Sequence, residues 1–206
     1  MPPLSSFSRE KLIDTAFKIV RSRGREKLTA RAIASELHCS TMPVYSYLKS
    51  MKKVDVDLEK KTIELLLRYQ TTGRSGEPFY DMGLGYVLFA RNEKKLFRFL
   101  SAERGGKGLR ASAATAMRDV ILKTLIPKMK TDPVLDGLDE SRLEGILTMM
   151  WVFVHGLASL ANSGALAGKD ERYFEEMLHE AGYFVIEGEK NKSILVKGGK
   201  NESTGT

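Results

Sequence analysis

Residues 38–50, HCSTMPVYSYLKS, put hydroxyls, phenols and an ammonium group on a short piece of chain. Ser40, Thr41 and Ser46 are small and polar, Tyr45 and Tyr47 carry phenols, and Lys49 carries a charge. Such groups grip phosphate oxygens, while small side chains let the backbone approach the floor of a nucleic-acid groove. With Ser40 as N-cap, Thr41, Met42 and Pro43 become the first helical residues, where the missing proline N–H costs little. The helix would run from about Thr41 to Leu48, with Val44 and Leu48 inward and Thr41, Met42, Ser46 and Tyr47 outward. Its N-terminus offers unpaired N–H groups and partial positive charge, which attract phosphate.

Other chemistries find little support. The three histidines, His38, His155 and His179, are not spaced with a second ligand type as a metal site requires, and Cys39 has only His38 beside it. Nucleophile-elbow, phosphate-loop and His-Glu-x-x-His patterns are absent from the sequence. No catalytic residue, metal or cofactor is therefore expected, and the chain does not read as an enzyme. Trp151 and His155 lie four apart on one helix face, a spacing that suits either a cavity wall or a packed core pair.

Charge sharpens the polyanion reading. The first 53 residues hold eleven Lys/Arg against four Asp/Glu and so carry the whole formal net charge of +7. Beyond them the two signs cancel, so a neutral body follows a basic first quarter. Lys52 and Lys53 close that basic stretch. The single cysteine rules out an internal disulfide and suits a reducing cytosol. MPPLSSFSREKL lacks the apolar run of a signal peptide, so a cytoplasmic location is expected. Residues 145–168 contain no Asp, Glu, Lys or Arg and meet the length of a membrane span, yet their polar residues and glycines favour a doubly buried helix of a soluble protein.

The elements that must position these groups read as helices throughout, an all-α fold. Ser8 caps a first helix whose apolar stripe runs through Leu12, Ile13, Ala16, Phe17, Ile19 and Val20, with Gly24 at its end. Thr29 caps a second, and HCSTMPVYSYLKS supplies the third. A longer helix starts near Met51 and stops at TTGRSGEP, residues 71–78. Residues 79–102 give two helices split near Asn92, and 109–129 another that faces inward with Ala113, Met117, Val120, Ile121 and Leu125. After a linker at 132–139 come helices at 140–163 and 170–187, the last with Tyr173, Phe174, Met177, Leu178, Ala181, Phe184 and Val185 on one face. A polar tail, 188–206, reads as disordered. Two short helices joined by a tight turn make a helix-turn-helix.

The run FSREKLIDTAFKIVRSRGREKLTARAIASELHCSTMPVYSYLKSMKKV resembles the N-terminal DNA-binding domain of TetR-family transcriptional regulators. The matching features are Gly24, Leu28-Thr29, Ile33-Ala34 and the Tyr45-Ser46-Tyr47-Leu48 end of the third helix. TMMWVFVHGLASLANSG (148–164) and GYVLFARNEKKLFRFL (85–100) are similar to later segments of the family. The resemblance implies a three-helix DNA-binding head over residues 1–50 and a larger helical effector-binding and dimerisation domain over 51–187. It implies a cytoplasmic homodimer, paired through its last two helices. This dimer would repress a palindromic operator until a small-molecule effector binds. Thr29, Tyr45, Tyr47, Lys49, Lys52 and Lys53 are then expected at DNA phosphates, Thr41 and Met42 at bases, and Ser40, Pro43 and Ser46 elsewhere in the DNA-binding surface. Arg31 is expected at a guanine edge or a phosphate. An effector pocket would draw on Tyr86, Phe89, Phe97, Met117, Met150, Trp151 and His155. Two departures stand out: His38 replaces the usual turn glycine, and Met51 replaces the usual lysine after the recognition helix.

Two other classes stay open from sequence. One is a ligand-binding or enzymatic helical protein with an incidental basic head. The other is a dimeric adapter that contacts protein. A steep salt dependence of DNA binding separates the first from a DNA-binding regulator, and Tyr45→Phe and Lys49→Ala, which should weaken DNA binding but leave an adapter's partner unaffected, separate the second.

Overall fold

The computed structural model describes residues 8–48, 50–101 and 109–192, with side chains described from 119 in the last stretch. The expected tail beyond 192, Lys49 and the side chains of Ala113 and Met117 lie outside these residues. Among the described residues every regular element is helical: α1 (Arg9–Arg23), α2 (Ala30–Glu36), α3 (Thr41–Leu48), α4 (Met51–Thr71), α5 (Pro78–Asn92), α6 (Lys94–Ser101), α7 (Leu109–Met129), α8 (Glu140–Ser163) and α9 (Glu171–Lys190).

The chain packs as two units. The first combines Met1–Arg68 with Phe89–Ala116, and the second combines Tyr69–Leu88 with Met117–Thr206. In the first unit, Leu12, Ile13, Ala16, Ile19 and Val20 bury one stripe of α1 against α2, α3 and α6. Ser8 Oγ accepts from the Lys11 amide, and Gly24, at φ 93°, ends α1 where a side chain would be strained. Ile33, Ala34, Val44 and Leu48 complete this small core.

In the second unit Phe79, Met82, Leu84 and Val87 of α5 are buried, as are Leu143, Ile146, Met150 and Val154 of α8 and Phe174, Leu178 and Ile186 of α9. Residue 132 does more than begin a linker. Buried Asp132 accepts from the Phe79 amide at 2.9 Å and the Val134 amide at 3.1 Å, so it closes the first turn of α5 as well as its own turn. Helices α8 and α9 pack together, with Arg142 near the start of α8 reaching the Glu189 carbonyl near the end of α9. They therefore run antiparallel.

Three expectations about facing change. Val120 is exposed on α7, whose buried side chains among those described are Leu125, Ile126 and Met129. Phe184 is exposed on α9, and the helix instead buries Phe174, Leu178, Gly182 and Ile186. Helix α8 is not doubly buried. It is long and apolar enough to cross a membrane by length and composition, but only 33% of its most apolar window is buried. The pattern that looked like two buried faces is one core face and one uncovered apolar face.

Candidate nucleic-acid interface

The helix-turn-helix is built from local hydrogen bonds. Thr29 is extended and its Oγ1 accepts from the Ala32 amide at 3.0 Å, which starts α2. At the other end the Cys39 amide donates to the Ala34 carbonyl and the His38 amide to the Ser35 carbonyl, at 3.0 and 3.1 Å. This pairing is the Schellman arrangement, and it requires the residue between to be left-handed. His38 fills that place at φ 51°, the only described non-glycine residue with positive φ. The chain thereby turns from α2 into α3 within Leu37–Ser40.

Helix α3 has two clean faces. Pro43, Val44 and Leu48 are buried in the head. Met42, Tyr45 and Ser46 are exposed, and Thr41 and Tyr47 are half-exposed beside them. Met42 is 71% and Tyr45 65% exposed, so both side chains are available to a partner on this face. Pro43 shapes the first turn and fills the core, so its ring does not share the outer face. Thr29 and Arg31, at the start of α2, and Ser40, in the turn before α3, are exposed.

A cap overlooked in the sequence lies just beyond. Ser50 Oγ accepts from the Lys53 amide at 3.3 Å and its carbonyl from the Lys53 and Val54 amides, so it is the N-cap of α4. Lys52 and Lys53 are exposed in the first turn of that helix, with Met51 half-exposed. A Ser two residues before a charged turn was the available signal.

The basic charge is less uniform than the sequence suggests. Four arginines of the first quarter are held by carboxylates: Arg9 by Asp57, Arg21 by Glu93, Arg23 by Glu36 and Arg25 by Asp55. Three of those acids lie after residue 53. Arg25 is gripped twice, Nε to Oδ1 at 2.5 Å and Nη2 to Oδ2 at 2.9 Å. These arginines build the head, and Arg31, Lys52 and Lys53 stand exposed on it.

In the second unit Tyr86, Trp151 and His155 meet. The Tyr86 hydroxyl lies 2.9 Å from His155 Nδ1, and the Trp151 and His155 rings stack at 5.4 Å. Burial pushes the Tyr86 phenol up to about 12, against a hydrogen bond from the Trp151 side chain. An indole N–H can only donate, so the phenol oxygen accepts from Trp151, and which of Tyr86 and His155 Nδ1 donates to the other follows from the imidazole tautomer. Met150 is buried in this unit, while Trp151 is half out of it. Phe89 and Phe97, also expected at a pocket, are buried in the first unit.

An all-helical chain with a helix-turn-helix head and a larger helical part is the architecture of a one-component transcriptional regulator. Residues 79–181 match the family model described as the tetracyclin repressor-like, C-terminal domain. The chain belongs to the TetR family and is a DNA-binding transcriptional regulator. Its fold is similar to that of a TetR-like transcriptional regulator from Rhodococcus sp. RHA1, at 16% identity and a TM-score of 0.54, over 87% of this chain and 96% of that one. A protein of unknown function from the same organism is similar at 19% identity and a TM-score of 0.61, over 91% and 98%. At such identities the likeness carries the fold alone. No curated protein matches the sequence.

Proposed function

We propose that the protein is a cytoplasmic, non-enzymatic homodimeric repressor that binds a palindromic operator and leaves it when a small molecule binds. The observation that carries the reading is the outer face of α3, where Met42 and Tyr45 stand exposed among small hydroxyls. The functional division is a DNA-binding head over 1–50, an effector-binding and dimerisation domain over 51–187 and a tail from 188. Thr41 and Met42 face base edges. Tyr45, Tyr47, Thr29, Ser40, Ser46, Lys49, Lys52 and Lys53 grip phosphates, and Arg31 reads a base or a phosphate. No Asn, Gln or Arg stands on α3 for two-point base reading, so specificity leans on Arg31 and DNA shape.

The effector acts by population shift. A ligand that prefers the conformation with heads misplaced for successive major grooves lowers operator affinity by its coupling free energy, about 1–3 kcal/mol. The Tyr86–His155–Trp151 group is the polar anchor of that site.

The test uses a duplex enriched from a random library by the full chain, with affinity followed against salt. The logarithm of affinity should fall steeply with the logarithm of salt, by about 0.9 per phosphate neutralised. Lys52→Ala should reduce that slope by about one such step. Tyr45→Phe should weaken binding by roughly tenfold or more with the slope unchanged, since it removes a hydrogen bond to a phosphate but no charge from the protein. A flat salt response, or failure to enrich any duplex, sinks the reading.

A further inference from the structure

Glu93 is 7% exposed and stands alone between α5 and α6. A carboxylate so placed is costly unless it is paired in good geometry. Its backbone is held on both sides, with its amide on the Phe89 carbonyl at 2.8 Å and its carbonyl under the Phe97 amide at 2.9 Å. Its side chain takes a two-point grip from Arg21 of α1: Nε donates to Oε2 at 2.8 Å, and Nη2 donates to Oε1. One residue further along α1, the Ser22 carbonyl accepts from Lys95 Nζ of α6. That carbonyl belongs to the negative end of the α1 dipole, where an ammonium group is favoured.

The two links run in opposite senses, an arginine of α1 to an acid at the junction and a lysine of α6 back to α1. Together they fix both position and rotation of the end of α1. A buried ion pair adds little net stability over apolar packing, but its two-point geometry admits few alternatives. Helix α1 packs against both α2 and α3, so its orientation sets theirs. On the other side, the Glu93 junction continues into α5, which supplies Tyr86.

We infer that Arg21 and Glu93, seconded by Lys95, are positioning residues: a latch that holds the head in its DNA-competent setting and through which displacement of the α5–α6 junction reaches α2 and α3. Arg21 is thus a basic head residue that serves the DNA without touching it. This rests on the DNA-binding reading above.

The experiment measures affinity and salt slope for the duplex enriched by the wild-type chain. Variants are Arg21→Gln, Glu93→Gln, both together, the exchange Arg21→Glu with Glu93→Arg, and the milder Lys95→Met on the exposed side of α6. Each single variant at Arg21 or Glu93 should weaken binding by at least about tenfold, the double no further, and the exchange should recover most of the loss. Lys95→Met should weaken binding by roughly threefold. The salt slope should stay at the wild-type value throughout. A slope lower by about 0.9 in Arg21→Gln makes that residue a phosphate contact and overturns the latch, as do unchanged affinities or additive losses. Hydrogen exchange without DNA gives a separate readout: amides 20–24 should lose protection in Glu93→Gln while those of α8 keep theirs. Equal loss in both reduces the pair to general stability and overturns the inference. If the wild-type chain enriches no duplex while the exchange pattern holds, the DNA reading fails and the latch survives only as a local clamp, which also defeats its stated role.

Discussion

An imidazole in the left-handed region is held there by its neighbours, not by its own preference. His38 sits at φ 51° because the Schellman bonds of Ser35 and Ala34 demand that geometry. The conformation costs a non-glycine residue about 1–2 kcal/mol, part of which a glycine returns as extra freedom in the unfolded chain. His38→Gly should therefore raise unfolding free energy by about 0.5–1 kcal/mol, read from denaturant midpoints at constant slope. A decrease would mean that the ring makes a contact worth more than the strain. Tyr86 gives a second prediction at this scale. Burial lifts its phenol from 10.0 to about 12, so folded and unfolded chains both keep the proton below pH 10. Between pH 10 and 12 only the unfolded chain ionises, and the stability this group contributes is lost as pH rises, by about 2–3 kcal/mol in all. Stability measured over that interval should fall less steeply in Tyr86→Phe than in the wild type, and parallel curves would refute the assignment. The His38 turn could be read from the sequence because helix ends are local. The Tyr86–His155 bond could not, because it joins residues 69 apart and spacing carries no sign of it.

At the scale of elements, helix crossings set what a substitution can do. A Cβ on Gly85 of α5 would stand 2.6 Å from the Tyr69 carbonyl carbon and 2.8 Å from Gln70 Cα, both backbone atoms near the end of α4. Neither can swing aside, so α5 and the last turn of α4 would have to separate. Gly85→Ala should cost about 1–3 kcal/mol, visible as a lower Tm, whereas Ala at Gly156, with nothing within 4 Å, should not. A small effect at Gly85 would show that the crossing relaxes freely. Caps, breaks and stripes made most helices legible: Ser8, Thr29 and Gly24 mark their ends, and Asn92 marks the α5–α6 break. Facing was harder. On α9 an apolar stripe broad enough to include Phe184 could be rotated either way, and only the partner helix decides which edge is buried. The same limit hid the four arginine–carboxylate pairs of the head, since three of their acids lie 30 to 72 residues away.

For the whole molecule, the homodimer proposed above would be built on the exposed apolar residues of α8 and α9. Met149, Trp151, Val152 and Leu160 on α8 are at least half exposed, and Tyr183 and Phe184 on α9 more so, Phe184 at 67%. No charge interrupts residues 145–168, so on the α8 side pairing with a second copy would desolvate apolar groups and a few hydroxyls, while on α9 Glu180 and Glu187 flank Phe184. A two-fold pairing of antiparallel α8 and α9 closes into four helices and leaves no such face for a third chain. In the proposed dimer two heads would bind one duplex, which would turn the second contact into an intramolecular event with a high effective concentration. Leu160→Glu together with Phe184→Glu should yield a folded monomer by sedimentation, because neither side chain supports the core of its own chain. Operator affinity should fall by about 100-fold or more, while a half-site duplex should bind almost as before, since each head is intact. A double variant that stays dimeric and keeps operator affinity would place the interface elsewhere. A monomeric variant with undiminished operator affinity would mean that one head suffices, and the palindrome would lose its physical basis.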